Sequence, residues 1–324
     1  MARLDGGGFE QEGPTLISIL NATIAGNSAR RGGGALFRGG TVFMSQVAFD
    51  NNTAYLTAGG VACDTDSDVS IHSSTFSNNM VSGLCEGTNK ECGSGGGMSV
   101  IGQNVKTWIS KSMFNTNRAD NEGGCIFTSG TSSVKILQSE LSRCVSTGDG
   151  GGISSGGASR LVLSGRIIIR QCQSVDGNGG GIAFAGERLS VEGSEDNSTA
   201  ALLLERNIGM NGGGISIMAL VECLAGSSTM LLSNIAIRNG GGAYAFSGFG
   251  ELAVDTDASL LIEGNEAYDG AGVAVMTGAQ FRVAIPECVG IGGECTLEMR
   301  ENAICDLSCM TKSCNCKSSS MTEQ

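Results

Sequence analysis

The chain has 324 residues, of which 52 are glycine and two are proline; 40% are hydrophobic but only 5% aromatic, and the net charge is −12 with a pI near 4.6. No G-X-Y period accompanies the glycine, which excludes collagen, and the scarcity of proline argues against a low-complexity linker. The acidic balance leaves no basic stripe for a phosphate backbone or an anionic bilayer, and there is no 18-residue apolar run, so neither nucleic acid nor a membrane span is expected.

The first mark is a glycine pair or triplet leading into small or apolar residues. In chain order it reads GGGF at Gly6, GGGALF at Gly32, GGVAC at Gly59, GGGMSV at Gly95, GGCIF at Gly123, GGGIS at Gly150, GGGIAF at Gly179, GGGISI at Gly212, GGGAYAF at Gly240 and GAGVAV at Gly270. Counted from the last glycine of each, the steps are 26, 26, 37, 27, 28, 29, 33, 28 and 30 residues. The second mark is an apolar residue followed three positions later by asparagine. It occurs at Ile24/Asn27, Phe49/Asn52, Phe76/Asn79, Phe114/Asn117, Leu204/Asn207, Leu231/Asn234 and Ile262/Asn265, with cysteine in the asparagine slot at Leu141/Cys144 and Ile169/Cys172. Between the marks apolar residues alternate, as at Val69/Ile71, Val134/Ile136, Ile182/Phe184 and Val273/Val275. Period two is the strand signature, and no sustained 3.6-residue pattern competes with it.

One such unit cannot bury its own apolar edge, whereas stacked units share a core. The chain is therefore read as all-β: a right-handed parallel β-helix of about ten coils over residues 1–285, each coil with about three short strands. With rungs about 4.8 Å apart the rod is on the order of 45 Å long. The glycines serve sharp corners, and the asparagines with Cys144 and Cys172 form a structural ladder in which each amide bonds to the next. A leucine-rich repeat is the rival, but its L-x-x-L-x-L pattern is missing.

Residues 286–324 are read as a separate cysteine-rich cap. Cys288, Cys295, Cys305, Cys309, Cys314 and Cys316 crowd this tail, and disulfides would staple it over the open end of the stack. Cys85 and Cys92 fall in the long insertion and are expected to clip that loop. Cys144 and Cys172 occupy equivalent points of adjacent coils, which leaves open a disulfide between them or two buried thiols. Thirteen cysteines and the acceptor triplets at Asn21, Asn51 and Asn197 suit an oxidising, extracellular setting. MARLDGGGFE shows no signal-peptide pattern, so the chain reads as a mature segment or a fragment.

Candidate chemistry is sparse. Asp120, Asp149, Asp176 and Asp269 precede glycine corners; Asp149 and Asp176 could stack in successive coils and, with Arg143 or Arg170, form an acid/base pair for a polysaccharide lyase or glycosidase. Turn solvation is the plainer reading of these aspartates. Asp64, Asp66 and Asp68 alternate in one segment, and Asp255 and Asp257 recur near the end, as candidate Ca²⁺ ligands. No cofactor is expected, with calcium at these aspartates as the alternative. His72, the single histidine, is expected to point outward from its strand, and Phe43 and Trp108 are expected in the core or on a strand face rather than as a sugar-stacking platform. The glycine triplets lead into strands and lack a following Lys-Ser/Thr, so they are not phosphate loops.

GGGALF, GGGIAF and GGGAYAF, in phase with AFDNN, TFSNN and MFNTN, resemble the paired marks of the polymorphic outer-membrane protein family over roughly residues 6–285. The resemblance implies a pectin-lyase-like β-helix, exposure at the cell surface and adhesion to a protein or glycan partner. The chain departs from that family in ending on a cysteine-rich tail where a translocating barrel would stand. A non-catalytic extracellular scaffold or adhesion surface is the leading expectation, with a polysaccharide-active enzyme or carbohydrate-binding β-helix as the alternative. Ice binding would need Thr-x-Thr ladders and even coils, which the uneven steps oppose.

Overall fold

The computed structural model describes residues 5–83, 92–193, 201–246, 248, 250–255, 258–283 and 299–300. Among these residues there are only strands and turns, and all paired strands run parallel in a β-solenoid of about nine turns, consistent with a right-handed β-helix. Ten glycine marks delimit nine coils between them, which accounts for the count of about ten read from the sequence.

Three sheets of 18, 8 and 10 strands line the solenoid. The coil that starts at Gly32 shows the plan. Ala35–Ser45 crosses the long sheet, Ala48–Asp50 joins the ten-stranded sheet and Thr53–Thr57 the eight-stranded one. Successive coils stay in register: Ile24, Phe49, Phe76, Phe114 and Leu141 fall on one inward row. Met299–Arg300 pair with Ile262–Glu263, so the ten-stranded sheet receives a strand from beyond residue 285, where the sequence reading ended the repeat. The remainder of the tail, with its six cysteines, lies outside the described residues, as does Cys85.

The three corner positions have distinct reasons for glycine. The first lies at positive φ in every coil, including Ala58 at φ 55°, where glycine is replaced. The second is packed by backbone: a Cβ at Gly96 would come within 2.3 Å of the Gly124 carbonyl oxygen and 2.6 Å of Arg118 backbone. The third faces the core and the ladder, and here Cys125 takes the place of glycine, since Ile126 pairs with Met98. Backbone cannot yield without breaking rungs on both sides. Gly96→Ala is therefore expected to cost about 3 kcal/mol. Gly156→Ala, with nothing within 4 Å of its Cβ, should be neutral or slightly stabilising. Thermal unfolding of the two variants checks this, and equal midpoints would sink the packing argument.

The ladder turn has a feature that composition does not announce. The residue before each ladder position is left-handed: Gly26, Asn51, Asn78, Thr116, Arg143, Gln171, Arg206, Ser233 and Gly264. Only two of these are glycine. Non-glycine residues tolerate the conformation here because each N–H still bonds to the coil below, as Asn51 does to Ser77 O at 3.0 Å.

The asparagines bond in two runs. Nδ2 of Asn27, Asn52 and Asn79 donates to Oδ1 of Asn52, Asn79 and Asn117, and Asn207 and Asn234 donate likewise to Asn234 and Asn265, all at 3.0 Å. Cys144 and Cys172 occupy the gap between the runs. A buried serine series marks another corner, with the N–H of Val47, Ser74 and Ser112 donating to Oγ of Ser74, Ser112 and Ser139.

Candidate functional site

The long sheet presents an outer face built by alternation. In Lys106–Ser110, Thr107 and Ile109 point inward and are buried, which leaves Lys106, Trp108 and Ser110 outside. Register then sets one outer row of Ser18, Phe43, Ser70, Trp108 and Lys135. Beside it runs Leu20, Ser45, His72, Ser110 and Leu137. Phe43 is 41% and Trp108 52% exposed. They stand two rungs apart, about 9.6 Å, with Ser70 between them. His72 Nδ1 lies 2.9 Å from Ser110 Oγ, an adjacent hydroxyl-and-imidazole pair on the same face.

Charge divides this face. Toward the C-terminal end its cations are matched by carboxylates: Lys135 with Glu192 at 2.9 Å, Arg160 with Glu187 at 2.6 Å, Arg188 with Glu222, and Arg282 with Glu251 at 3.3 Å. The Arg160 guanidinium holds the exposed Glu187 carboxyl below its ordinary range. The Phe43–Ser70–Trp108 region carries aromatic rings and hydroxyls, with Asp68 and Lys106 two residues before Ser70 and Trp108 on the same strands. Phe43 and Trp108 stand on the outer strand face and not in the core.

The candidate catalytic set is not brought together. Asp149 stacks on Asn178 of the next coil, accepting its backbone N–H at 2.7 Å and its Nδ2–H at 3.2 Å, whereas the Asp176 N–H donates to Thr147 O. The two aspartates therefore do not stack, because their rows lie two positions apart along the chain. Arg170 pairs with Glu140 at 2.7 Å, and Arg143 Nε donates to Gln171 at 3.4 Å. Asp149 instead heads a second ladder: Asn211 Nδ2 donates to Asn178 Oδ1 at 2.7 Å and Asn239 Nδ2 to Asn211 Oδ1 at 2.8 Å. The sequence signal for it was present, a polar residue directly before each of these glycine corners.

The candidate calcium ligands also diverge. Asp64 is held by Arg31 at 2.8 Å and Arg38 at 3.3 Å. Asp66, at φ 59°, accepts from Asn104 Nδ2 at 3.1 Å, and Asp68 lies on the outer row between Thr41 and Lys106. The Asp255 N–H donates to Cys223 O, and Asp257 lies outside the described residues. Among the described residues the one trio of histidine, cysteine or acidic side chains whose ligand atoms lie within 4.8 Å of one another is Cys125, Cys144 and Cys172.

That trio corrects the reading of Cys144. It is neither bonded to Cys172 nor a free thiol: it forms a disulfide with Cys125, 19 residues earlier, with Cα atoms 5.4 Å apart. Cys172 remains a buried thiol, as do Cys63 and Cys223. Burial pushes all three thiols up, Cys172 to about 12, which keeps them protonated at neutral pH. Cys92 is disulfide-bonded, with its partner outside the described residues.

Fold and face define the class: a parallel β-solenoid with an exposed aromatic and hydroxyl surface. No family model matches the chain, and no curated protein or solved structure matches it.

Proposed function

We propose that the protein is a non-catalytic scaffold of the cell surface or extracellular space, and that the outer face around Phe43, Ser70 and Trp108 is where it adheres to a partner. The observation that carries this reading is the exposed pair of aromatic rings on one outer row of a rigid sheet. Large apolar side chains left at the surface in a regular array cost solvation and suit a recognition surface. The buried disulfide at Cys125 and Cys144 and the bonded state of Cys92 support an oxidising compartment. The paired glycine and asparagine marks, which resemble those of polymorphic outer-membrane adhesins with their pectin-lyase-like β-helix, support adhesion by analogy.

A glycan partner is favoured over a protein by the chemistry of the patch. Sugar rings present an apolar face to stack on Trp108 and Phe43, and hydroxyls that Ser70, Ser110 and His72 can bond. A hydrolase or lyase on the same fold is disfavoured by the separation of Asp149 from Asp176 and by the partners that occupy Arg170 and Arg143.

The test is binding of the full chain to a panel of neutral and acidic oligosaccharides, with Phe43→Ala/Trp108→Ala as comparison. Saturable binding that weakens at least tenfold in the double variant, with unfolding within about 0.5 kcal/mol of the parent, supports the reading. Release of shortened sugars by the parent chain would replace it with the enzymatic one. Binding unaffected by the double variant would move the adhesive surface elsewhere.

A further inference from the structure

In most coils the third corner position is glycine, and it faces the ladder asparagine of its own coil across the interior. A Cβ added at Gly34 would lie 3.2 Å from Asn52 Nδ2, at Gly181 3.1 Å from Asn207 Nδ2 and at Gly214 3.1 Å from Asn234 Nδ2. In one coil both members change together. Cys125 replaces the glycine, Cys144 replaces the asparagine, and the contact becomes a disulfide. The next coil keeps Gly152 but has Cys172 in the ladder slot, its Sγ 3.5 Å from where a Gly152 Cβ would stand.

A staple needs two cysteines, and the third is costly where it sits. It widens the gap that Cys144 opens in the ladder: Cys172 brings its N–H to Asn207 Oδ1 at 2.9 Å but no side-chain amide, where Asn207 brings both its N–H and its Nδ2 to Asn234 Oδ1 at 3.0 Å. Cys144 and Cys172 stack in register on successive coils, because Ser142 pairs with Arg170 and Val145 with Gln173 on either side of them. Stacked positions about 4.8 Å apart fall within the Cα separation of a disulfide. All three sulfurs lie within 4.8 Å of one another and are fully buried.

We propose that Cys125, Cys144 and Cys172 form a three-sulfur exchange centre, in which a single disulfide alternates between closing one coil on itself (Cys125–Cys144) and linking two successive coils (Cys144–Cys172). In the step, Cys172 Sγ attacks Cys144 Sγ. The Cys144–Cys172 bond forms, the Cys125–Cys144 bond breaks, and its electron pair leaves on Cys125 Sγ. The proton lost by Cys172 ends on Cys125. No oxidant or reductant is consumed, and reactant and product are both neutral, which suits a dry core. Around Cys172 stand the disulfide, the Asn207 amide oxygen on its N–H at 2.9 Å, and the Leu141 and Arg170 carbonyls. The thiolate is the attacking species, so burial of Cys172 makes the exchange slow at neutral pH and faster in base.

The full chain, held at pH 7 or pH 9 without added thiol or oxidant, is quenched over time in acidic denaturant, labelled with a maleimide and mapped by peptide. The expected result is transfer of label from Cys172 to Cys125 at constant total free thiol, about a hundredfold faster at pH 9 because the thiolate fraction rises about tenfold per unit. In Cys172→Ala, Cys125 should stay unlabelled. Label confined to Cys172 at both pH values, label on Cys144, or label on Cys125 in Cys172→Ala would each overturn the proposal. The time course of the unaltered chain decides the question if the variant does not fold.

Discussion

Phe76→Ala is expected to destabilise the solenoid by about 3–5 kcal/mol, the usual cost of truncating a buried phenylalanine. The ring is fully buried and lies between Phe49, with centroids 4.9 Å apart at 13°, and Phe114, at 4.3 Å and 3°. Its loss removes apolar burial and both stacking contacts at once, the latter worth about 0.5–1.5 kcal/mol each. The cavity cannot easily close, because Thr75–Ser77 is hydrogen-bonded in register to a strand on each side. Phe76→Leu keeps most of the apolar volume and should lose less than half as much. Chemical denaturation measures both, and hydrogen exchange at Thr75–Ser77 shows whether the loss is local. A cost under about 1 kcal/mol for Phe76→Ala would mean that the coils collapse onto the gap, and that the rungs are less rigid than argued.

Asn79→Leu should be of similar size, at about 4 kcal/mol, although the new side chain is apolar and of comparable volume. Asn79 Oδ1 accepts from Asn52 N–H at 3.1 Å and Asn52 Nδ2 at 3.0 Å, while its own Nδ2 donates to Phe49 O at 2.9 Å and Asn117 Oδ1 at 3.0 Å. Leucine leaves two donors on Asn52 and the Phe49 carbonyl buried without those partners, each at a cost of about 1–3 kcal/mol. Asn27→Leu is the comparison. Asn27 heads the ladder and is only half-buried, and its Nδ2 and N–H both donate to Asn52 Oδ1. The side-chain change removes only the first of these, so about 1 kcal/mol is expected. Denaturant midpoints of the two variants give the contrast; equal shifts would show that the ladder contributes no more in the middle than at its end.

Both variants act on residues whose importance is legible in the sequence. The row of Phe49, Phe76 and Phe114 and the asparagines three residues after them recur in phase with the glycine corners, and a recurrence of that kind has few physical solutions. What escaped the reading is equally specific. The two glycines of GGC at Gly123, taken as the corner, place Cys125 at the head of a strand. The register of Ile126 on Met98 puts it in the third corner position instead, facing Cys144. Counting along the chain finds neighbours in the next coil, such as Cys172, but a contact across the interior of one coil depends on the cross-section, which spacing does not encode. The separation of Asp149 from Asp176 was missed for a related reason: the rung is set by backbone pairing on both sides, and a two-residue offset is invisible when only the distance to the nearest glycine is counted.

The sequence by itself determined the class of fold, the positions of the corners and the inward rows, because periodic burial and glycine sterics are local and repeat about nine times. Tertiary structure decided which side chains share a rung or face one another across the core. It set Phe43 and Trp108 on one outer row, divided the charges of that face into ion pairs, and gathered three sulfurs at the gap in the asparagine ladder. These relations are fixed by inter-coil hydrogen-bond register and by the shape of the coil's interior, both of which arise only when the coils stack.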